Sequence, residues 1–378
     1  QVSCSYGPGR YDPEYEEKGH DYPLGFVRWT EQRNFEAVLD MMAEGRVDVL
    51  PLISHRFPLQ NAVAAYAIIS GHAPSLGVLL EVSASAQDRS KAPQRTVTLP
   101  TAARMGAGGP VVGFLGAGSY ASTVLVPAFA KTRSRLRVIA SASGLTGTDV
   151  GKKFGFEQST TESNAVFGDP LVDVVVIATR HDSHAGYVVE GLKAGKHVFV
   201  EKPLAVRLDE IVSIEEAVQA AGGVHGTAPL LMVGFNRRFA PHVVRTKALL
   251  QTVRDPKSFV MTVNAGAIPP EHWTRDAASG GGRIIGEACH FIDLLRFLAG
   301  SSIVEHQVAV AKTADACVAV SLRFADGSIG TVHYLSSGHR GFPKERLEVF
   351  CSGRVLQLDN FRSLTGFGWP GFKAAKLW

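Results

Sequence analysis

The sequence predicts an α/β chain, with a doubly wound parallel sheet followed by an open, mainly antiparallel β-sheet domain. Three observations carry this. Between about residues 110 and 236, short strands apolar on both faces alternate with helices, as in a parallel sheet covered on both sides. A glycine-rich turn, Gly116 to Ala121, follows the first of these strands. From about Arg237 onward the strands instead alternate apolar and polar residues, with Asp326-Gly327 and Ser352-Gly353 at hairpin corners.

The 378 residues are too many for one domain of about 150. Boundaries are expected near 105 and 236, giving segments 1–105, 106–236 and 237–378. A hydrophobic share of 45% with 20% charged residues is a globular composition. The net charge, 39 − 35 = +4, is spread without a basic run. That argues against nucleic acid or a membrane surface as partner, and no apolar stretch reaches the ~18 residues of a span. Cys4, Cys289, Cys317 and Cys351 are far apart with no Cys-x-x-Cys. This argues against a disulfide framework or structural zinc and fits a reducing, cytoplasmic compartment. The opening stretch, rich in Gly, Pro and Tyr and lacking an initial Met or signal pattern, reads as the middle of a longer chain.

Taken in order, residues 1–30 read as a loop, and a helix follows from Thr30 with Phe35, Val38, Leu39 and Met42 on one face and Gly45 as stop. Strand candidates 47–53 and 95–100 flank a helix from Leu59 to Ser70. Two helices and few strands are a thin basis for a core. The next strands are expected at 110–116, 136–142, 172–179, 196–200 and 230–236. Helices lie between them at Tyr120–Lys131, near Val150–Phe154, at His184–Ala194 and at Leu208–Ala221. One strong helix, Gly286–Leu298, stands among later strands at 258–266, 316–324, 327–336, 345–353 and 354–360. The final Gly- and aromatic-rich stretch does not read as a domain end.

GFLGAGSYAS (113–122) supplies Gly116, Gly118 and Ala121 in a Gly-x-Gly-x-x-Ala pattern between strand and helix. The first glycine makes the tight turn, the second admits a pyrophosphate, and the small third residue lets helix and strand pack closely. Phosphate would rest on the helix N-terminus, so Ser119 and Tyr120 join the binding set. The second strand ends at Ser141, Ala142, Ser143 and Gly144 with neither acid nor arginine. Ser143 is the candidate there, and NAD against NADP stays open. Thr179, Arg180, His181 and His184 leave one strand, and Glu201, Lys202 and Pro203 leave the next. Both groups lie at carboxyl ends, where open parallel sheets bind ligands.

On the helix 286–300, Glu287, His290 and Asp293 are spaced i, i+3, i+6 along one face. Glu-x-x-His is also a di-iron motif, but it needs a second copy on another helix. The other match, Glu17-Lys18-Gly19-His20, lies in a loop-like segment, so no metal is expected. His290 is read as the general acid/base, because imidazole titrates near neutrality.

These strings, with IATRHDSHAGYVVEGLKAGKHVFVEKP, GFNRRFAP and GEACHFIDLLRFLAG, resemble the Gfo/Idh/MocA oxidoreductase family over about residues 109–360. The resemblance implies a Rossmann domain, an open antiparallel sheet that forms homo-oligomers, and NAD(P)-dependent chemistry at sugar or cyclitol hydroxyls. It places the hydroxyl-binding lysine at Lys202 and the family histidine at His290. The family's aspartate four residues before that histidine is Gly286 here, and the carboxylate sits at Glu287. Residues 1–100 are similar to the end of a zinc-type medium-chain alcohol dehydrogenase.

The expected function is hydride transfer between a nicotinamide cofactor and a secondary hydroxyl of a sugar, nucleotide sugar or cyclitol. Lys202 would orient the hydroxyl, His290 would take its proton, and Asp293 or Glu287 would orient the imidazole. The alternatives are a dinucleotide-binding sensor or scaffold and an internal-redox epimerase or eliminase.

Overall fold

The computed structural model describes residues 7–71, 74–82, 95–100, 108–224, 228–269, 272–312 and 317–377. It divides into two units, Gln1–Pro93 and Gln94–Trp378. The expected boundary at 105 lies outside the described residues.

In the first unit Asp12 caps a short helix, Pro13–Glu16, by accepting the Glu14 N–H. Longer helices follow at Glu31–Ala43 and Ala62–Ser70. The strands Ile53–Pro58 and Gly77–Glu81 pair in parallel. The strand expected at 47–53 therefore starts only at Ile53. Asp48 accepts the Leu50 N–H, and the tight turn Leu50–Leu52, with Pro51 early in it, uses up the preceding residues. The apolar face of Phe35, Val38, Leu39 and Met42 is exposed, and among the described residues of this unit Ala65 is the buried hydrophobic one. The core here is as thin as the sequence implied.

The second unit holds two sheets. The seven-stranded one runs Thr96–Thr98, Gln158–Thr160, Arg135–Ala140, Val111–Leu115, Val174–Ile177, His197–Val200, Leu231–Val233. All its pairs are parallel except the first, so Thr96–Thr98, expected in the first segment, is an antiparallel edge strand here. Strand order reverses around Val111–Leu115, which makes the crevice at its carboxyl end a ligand site. Apolar side chains cover both faces: Val175, Ile177, Val188 and Leu192 in one core, Phe114, Val126, Ile139 and Phe156 in the other.

The eight-stranded sheet runs Ile303–Val310, Cys317–Phe324, Ile329–Leu335, Ser258–Asn264, Glu345–Cys351, Arg354–Asp359, Ser363–Phe367, Ala374–Lys376. It is antiparallel except where Ser258–Asn264 pairs in parallel with Ile329–Leu335. Helix Cys289–Ala299 lays Phe291, Leu294, Leu295 and Leu298 into a core with Phe259, Met261, Phe324 and Tyr334. Each such buried side chain is worth about 1.5–3 kcal/mol. The helix opens one turn early, in a wide π turn at Ile284–Ala288. The last two strands were not foreseen. They form because Trp369 is buried and donates its Nε1–H to the Val355 carbonyl at 3.0 Å, pinning the aromatic stretch onto the sheet.

Candidate active site

The glycine-rich turn shapes the larger cleft, of about 830 Å³. Gly116 has φ +101°, and a Cβ there would sit 2.4 Å from the Ala178 carbonyl oxygen. Only glycine closes this turn. A Cβ on Gly118 would meet nothing within 4 Å, so the space over the following helix is open, as a pyrophosphate seat requires. Ser119, Tyr120, Ala121, Thr179 and Arg180 line this cleft. Trp273 closes its side, 4.7 Å from the His181 ring and 6.0 Å from the Arg180 guanidinium. The residues present therefore fit a dinucleotide.

A smaller cavity, of about 180 Å³, brings Lys202, Glu287 and His290 together with Arg237, Phe291 and Lys344. The strand His197–Val200 delivers Lys202 at its carboxyl end, where the Lys202–Pro203 peptide is cis. Lys202 Nζ donates to the Gly286 carbonyl at 2.9 Å. Behind it, the fully buried His184 holds the turn, with Nδ1 2.7 Å from the Pro203 carbonyl oxygen and Nε2 3.2 Å from that of Thr179. Burial lowers the His184 pKa. The shorter contact assigns the proton of the neutral ring to Nδ1. Glu201 is buried beside Lys202, and burial raises its pKa.

His290 is 7% exposed, and its Nδ1 has no hydrogen-bond partner. Burial first, then the charges of Arg237, Lys202 and Lys344, push its pKa down to about 2. The imidazole is neutral and available as a proton acceptor. Arg237 donates to Glu345 at 2.5 Å, and its guanidinium lies 4.8 Å from the Phe291 ring and 5.7 Å from Phe361.

Two regions of this unit match family models: residues 111–227 the Gfo/Idh/MocA "oxidoreductase family, NAD-binding Rossmann fold", and residues 253–357 the Gfo/Idh/MocA C-terminal domain. The second unit belongs to the Gfo/Idh/MocA family. Among relatives of known name, the chain is 28% identical over 229 residues to myo-inositol 2-dehydrogenase of Thermotoga maritima, covering 57% of this chain and 65% of that protein. It is 27% identical over 264 residues to levoglucosan dehydrogenase of Pseudarthrobacter phenanthrenivorans, covering 60% of this chain and 66% of that one. The chain thus spans just under two thirds of the length of these relatives. A solved levoglucosan dehydrogenase in complex with NADH superposes with a TM-score of 0.60 at 24% identity, over 71% of this chain and 80% of that one, which shows the shared fold. Both matched regions start after residue 110, so the expected likeness of residues 1–100 to an alcohol dehydrogenase finds no support in them.

Within the family frame several expected roles change. Ser143 is exposed at the start of helix Gly144–Phe154, accepting from Thr146, while Ser141 and Ala142 line the cleft in its place. His181, His184 and Glu201 are buried and do not line the nucleotide cleft, and Lys202 lines the smaller cavity instead. Neither carboxylate orients His290. Asp293 is gripped by both arms of Arg238. Glu287 accepts from the Tyr334 hydroxyl and, at 3.3 Å, from Arg283. Glu287 sits in the π turn, whose wider winding breaks the 3.6-residue phase that aligned it with His290. Position 286 is crowded for the family's aspartate, because a Cβ there would lie 3.1 Å from the Gly280 carbonyl oxygen and 3.2 Å from His181 Cε1, so those neighbours would have to give way. His181 fills that place, with Nδ1 2.8 Å from the same carbonyl oxygen and its pKa lowered by burial to about 4.

Arg237, Lys344 and Trp273 escaped the sequence reading as site residues. Arg237 stands in the GFNRRFAP string that carried the resemblance, so a signal existed; Lys344, in a loop, and Trp273, in the single turn Trp273–Arg275, had none.

Proposed function

We propose that the second unit is an NAD(P)-dependent oxidoreductase acting on a secondary hydroxyl, or the matching ketone, of a sugar, nucleotide sugar or cyclitol. The observation that carries this is the convergence of Lys202 and His290 on one cavity, in a unit whose NAD-binding domain is that of a dehydrogenase-rich family. A bound nicotinamide would supply the hydride acceptor or donor. Gly116, Gly118 and the helix start at Ser119 would hold its phosphates.

The chain's own residues then have separable tasks. Lys202 keeps two N–H bonds beyond the one given to Gly286. It would aim the substrate hydroxyl and stabilise its alkoxide character. His290, a neutral imidazole lining the cavity, would accept the hydroxyl proton. The cations that keep it neutral also favour the alkoxide, so charge in the cavity moves toward Lys202 as the proton leaves.

The test is absorbance at 340 nm (a property of NADH) with a panel of polyols, sugars and sugar nucleotides. Turnover with one class, abolished in His290→Ala, is expected. Nucleotide binding with no turnover on any member would favour the sensor reading, to which the missing carboxylate at Gly286 points. The cleft tip at Ser141 and Ala142 has neither acid nor arginine, leaving NAD and NADP both admissible.

Exposed Val304, Val308, Val310 and Ile329 on the eight-stranded sheet support a homo-oligomer through it, which light scattering would check. The free thiols Cys289, Cys317 and Cys351 support a reducing, cytoplasmic setting. Among the described residues no helix is long and apolar enough to cross a membrane. The likeness of residues 1–100 to an alcohol dehydrogenase rests on sequence resemblance alone and adds no role.

A further inference from the structure

The cavity around Lys202 and His290 has a neighbour, a groove of about 520 Å³ lined by Arg340, Lys344, Asn360 and Arg362. Lys344 and Glu345 line both spaces, which makes them adjoining parts of one surface. The charge there is one-sided. Glu345 is its single carboxylate, and Arg237 already holds it at 2.5 Å. Among the described residues, Arg340, Lys344 and the Arg362 guanidinium have no ion-pair partner, whereas the nearby Arg346 is paired with Glu348 and Asp359. Exposed cations are commonly just solvated; three unpaired ones around a single groove are not a scattered surface.

The backbone under these cations is specifically held. Asn264 Nδ2 donates to the carbonyls of His339 at 2.9 Å and Phe342 at 3.3 Å, fixing the loop that carries Arg340 and Lys344. Arg362 follows Asn360 and Phe361, both left-handed at φ 47° and 56°. A bulky side chain rarely adopts that conformation. Here Asn360 Oδ1 accepts the Glu345 N–H at 2.9 Å, and Phe361 lies 5.7 Å from the Arg237 guanidinium.

We propose that this groove is a phosphoryl subsite, so that the substrate whose hydroxyl reaches Lys202 and His290 carries a phosphate or diphosphate seated on Arg340, Lys344 and Arg362. This deepens the functional reading above and rests on it for the position of the reacting hydroxyl. Three cations against no free carboxylate suit a group of charge near −2 better than a single carboxylate, and guanidinium forks match phosphate oxygens.

The test is calorimetric titration of inorganic pyrophosphate at low ionic strength into the full chain saturated with NADH, so that the nucleotide cleft is filled. Wild type is compared with the double variant Arg340→Ala/Arg362→Ala, whose folding a thermal melt verifies. One site is expected in wild type, with affinity at least tenfold weaker in the variant. Glucose 1-phosphate should displace the pyrophosphate, and glucuronate at equal concentration should not. Equal affinity in both proteins, no binding to wild type, or equal displacement by glucuronate would each overturn the inference. The comparison between the two proteins decides it even where NADH gives no heat, an outcome that would instead defeat the functional reading.

Discussion

Lys202 Nζ donates a 2.9 Å hydrogen bond to the carbonyl oxygen of Gly286, tying the end of a parallel-sheet strand to the turn that leads into the helix of His290. The lysine is thereby fixed at a point where its remaining protons face the cavity shared with the imidazole. Replacing it with Met keeps most of the packing and removes those donors. Lys202→Met is expected to lower kcat by about 10²–10⁴-fold while leaving NADH affinity within a few-fold, since Lys202 does not line the nucleotide cleft. Steady-state kinetics with calorimetry checks this, and a pure rise in KM at constant kcat would show that the lysine only binds.

The buried histidines make stability depend on pH in a stated direction. His181 and His290 have folded-state pKa values lowered to about 4 and about 2 from an ordinary 6.5. Below pH 6.5 the unfolded chain takes up protons that the native protein refuses, so stability falls as pH falls. The slope approaches roughly 1.4 kcal/mol per pH unit for each histidine, acting down to about pH 4 for His181. Urea unfolding at pH 7.5, 6 and 5 should show this fall, and His181→Gln should reduce it. A kcat/KM profile should also lack an inflection near pH 6.5 from His290; an NMR titration that shows the His290 ring taking up a proton near pH 6.5 would place its pKa elsewhere.

Much of this architecture was legible in the sequence, for physical reasons that differ by element. Strands such as Val174–Ile177 are apolar on both faces because helices cover both, and Gly116 is dictated by its own turn, so local pattern sufficed. Lys202 and His290, both singled out from the sequence, line one cavity, but the groups that hold the neighbouring carboxylates were not foreseen. Asp293 is claimed by Arg238, 55 positions away in sequence, and Glu287 by Tyr334, 47 away. Helical spacing sees neither competitor. The π turn at Ile284–Ala288 compounds the error by shifting phase inside a stretch that reads as regular helix. The strand at Ile303–Val310 was missed because nearly all of it is exposed, so no burial alternation marks it.

Gly116 and Gly118 separate folding from binding. Gly116→Ala forces a Cβ to 2.4 Å from the Ala178 carbonyl oxygen at φ +101°, and neither backbone can yield cheaply. A loss of roughly 3 kcal/mol is expected. Gly118→Val meets open space, so stability should change by less than about 1 kcal/mol. NADH affinity should nevertheless fall at least tenfold, because the side chain enters the phosphate seat. Denaturant melts beside NADH titration distinguish the two, and unaltered NADH binding by Gly118→Val would place the nucleotide elsewhere.

Restoring the family's aspartate should fail on its own. In Gly286→Asp the new Cβ lies 3.1 Å from the Gly280 carbonyl oxygen and 3.2 Å from His181 Cε1, which costs about 1–3 kcal/mol as overpacking. It also brings a carboxylate toward a ring already committed to Gly280 at 2.8 Å. His181→Ala vacates that space, so the double variant should be more stable than the two single changes summed, by 0.5 kcal/mol or more. A double-mutant cycle in urea measures the coupling directly. Strict additivity would mean that His181 is not what excludes a side chain at 286, and that the glycine there answers to the Lys202 hydrogen bond alone.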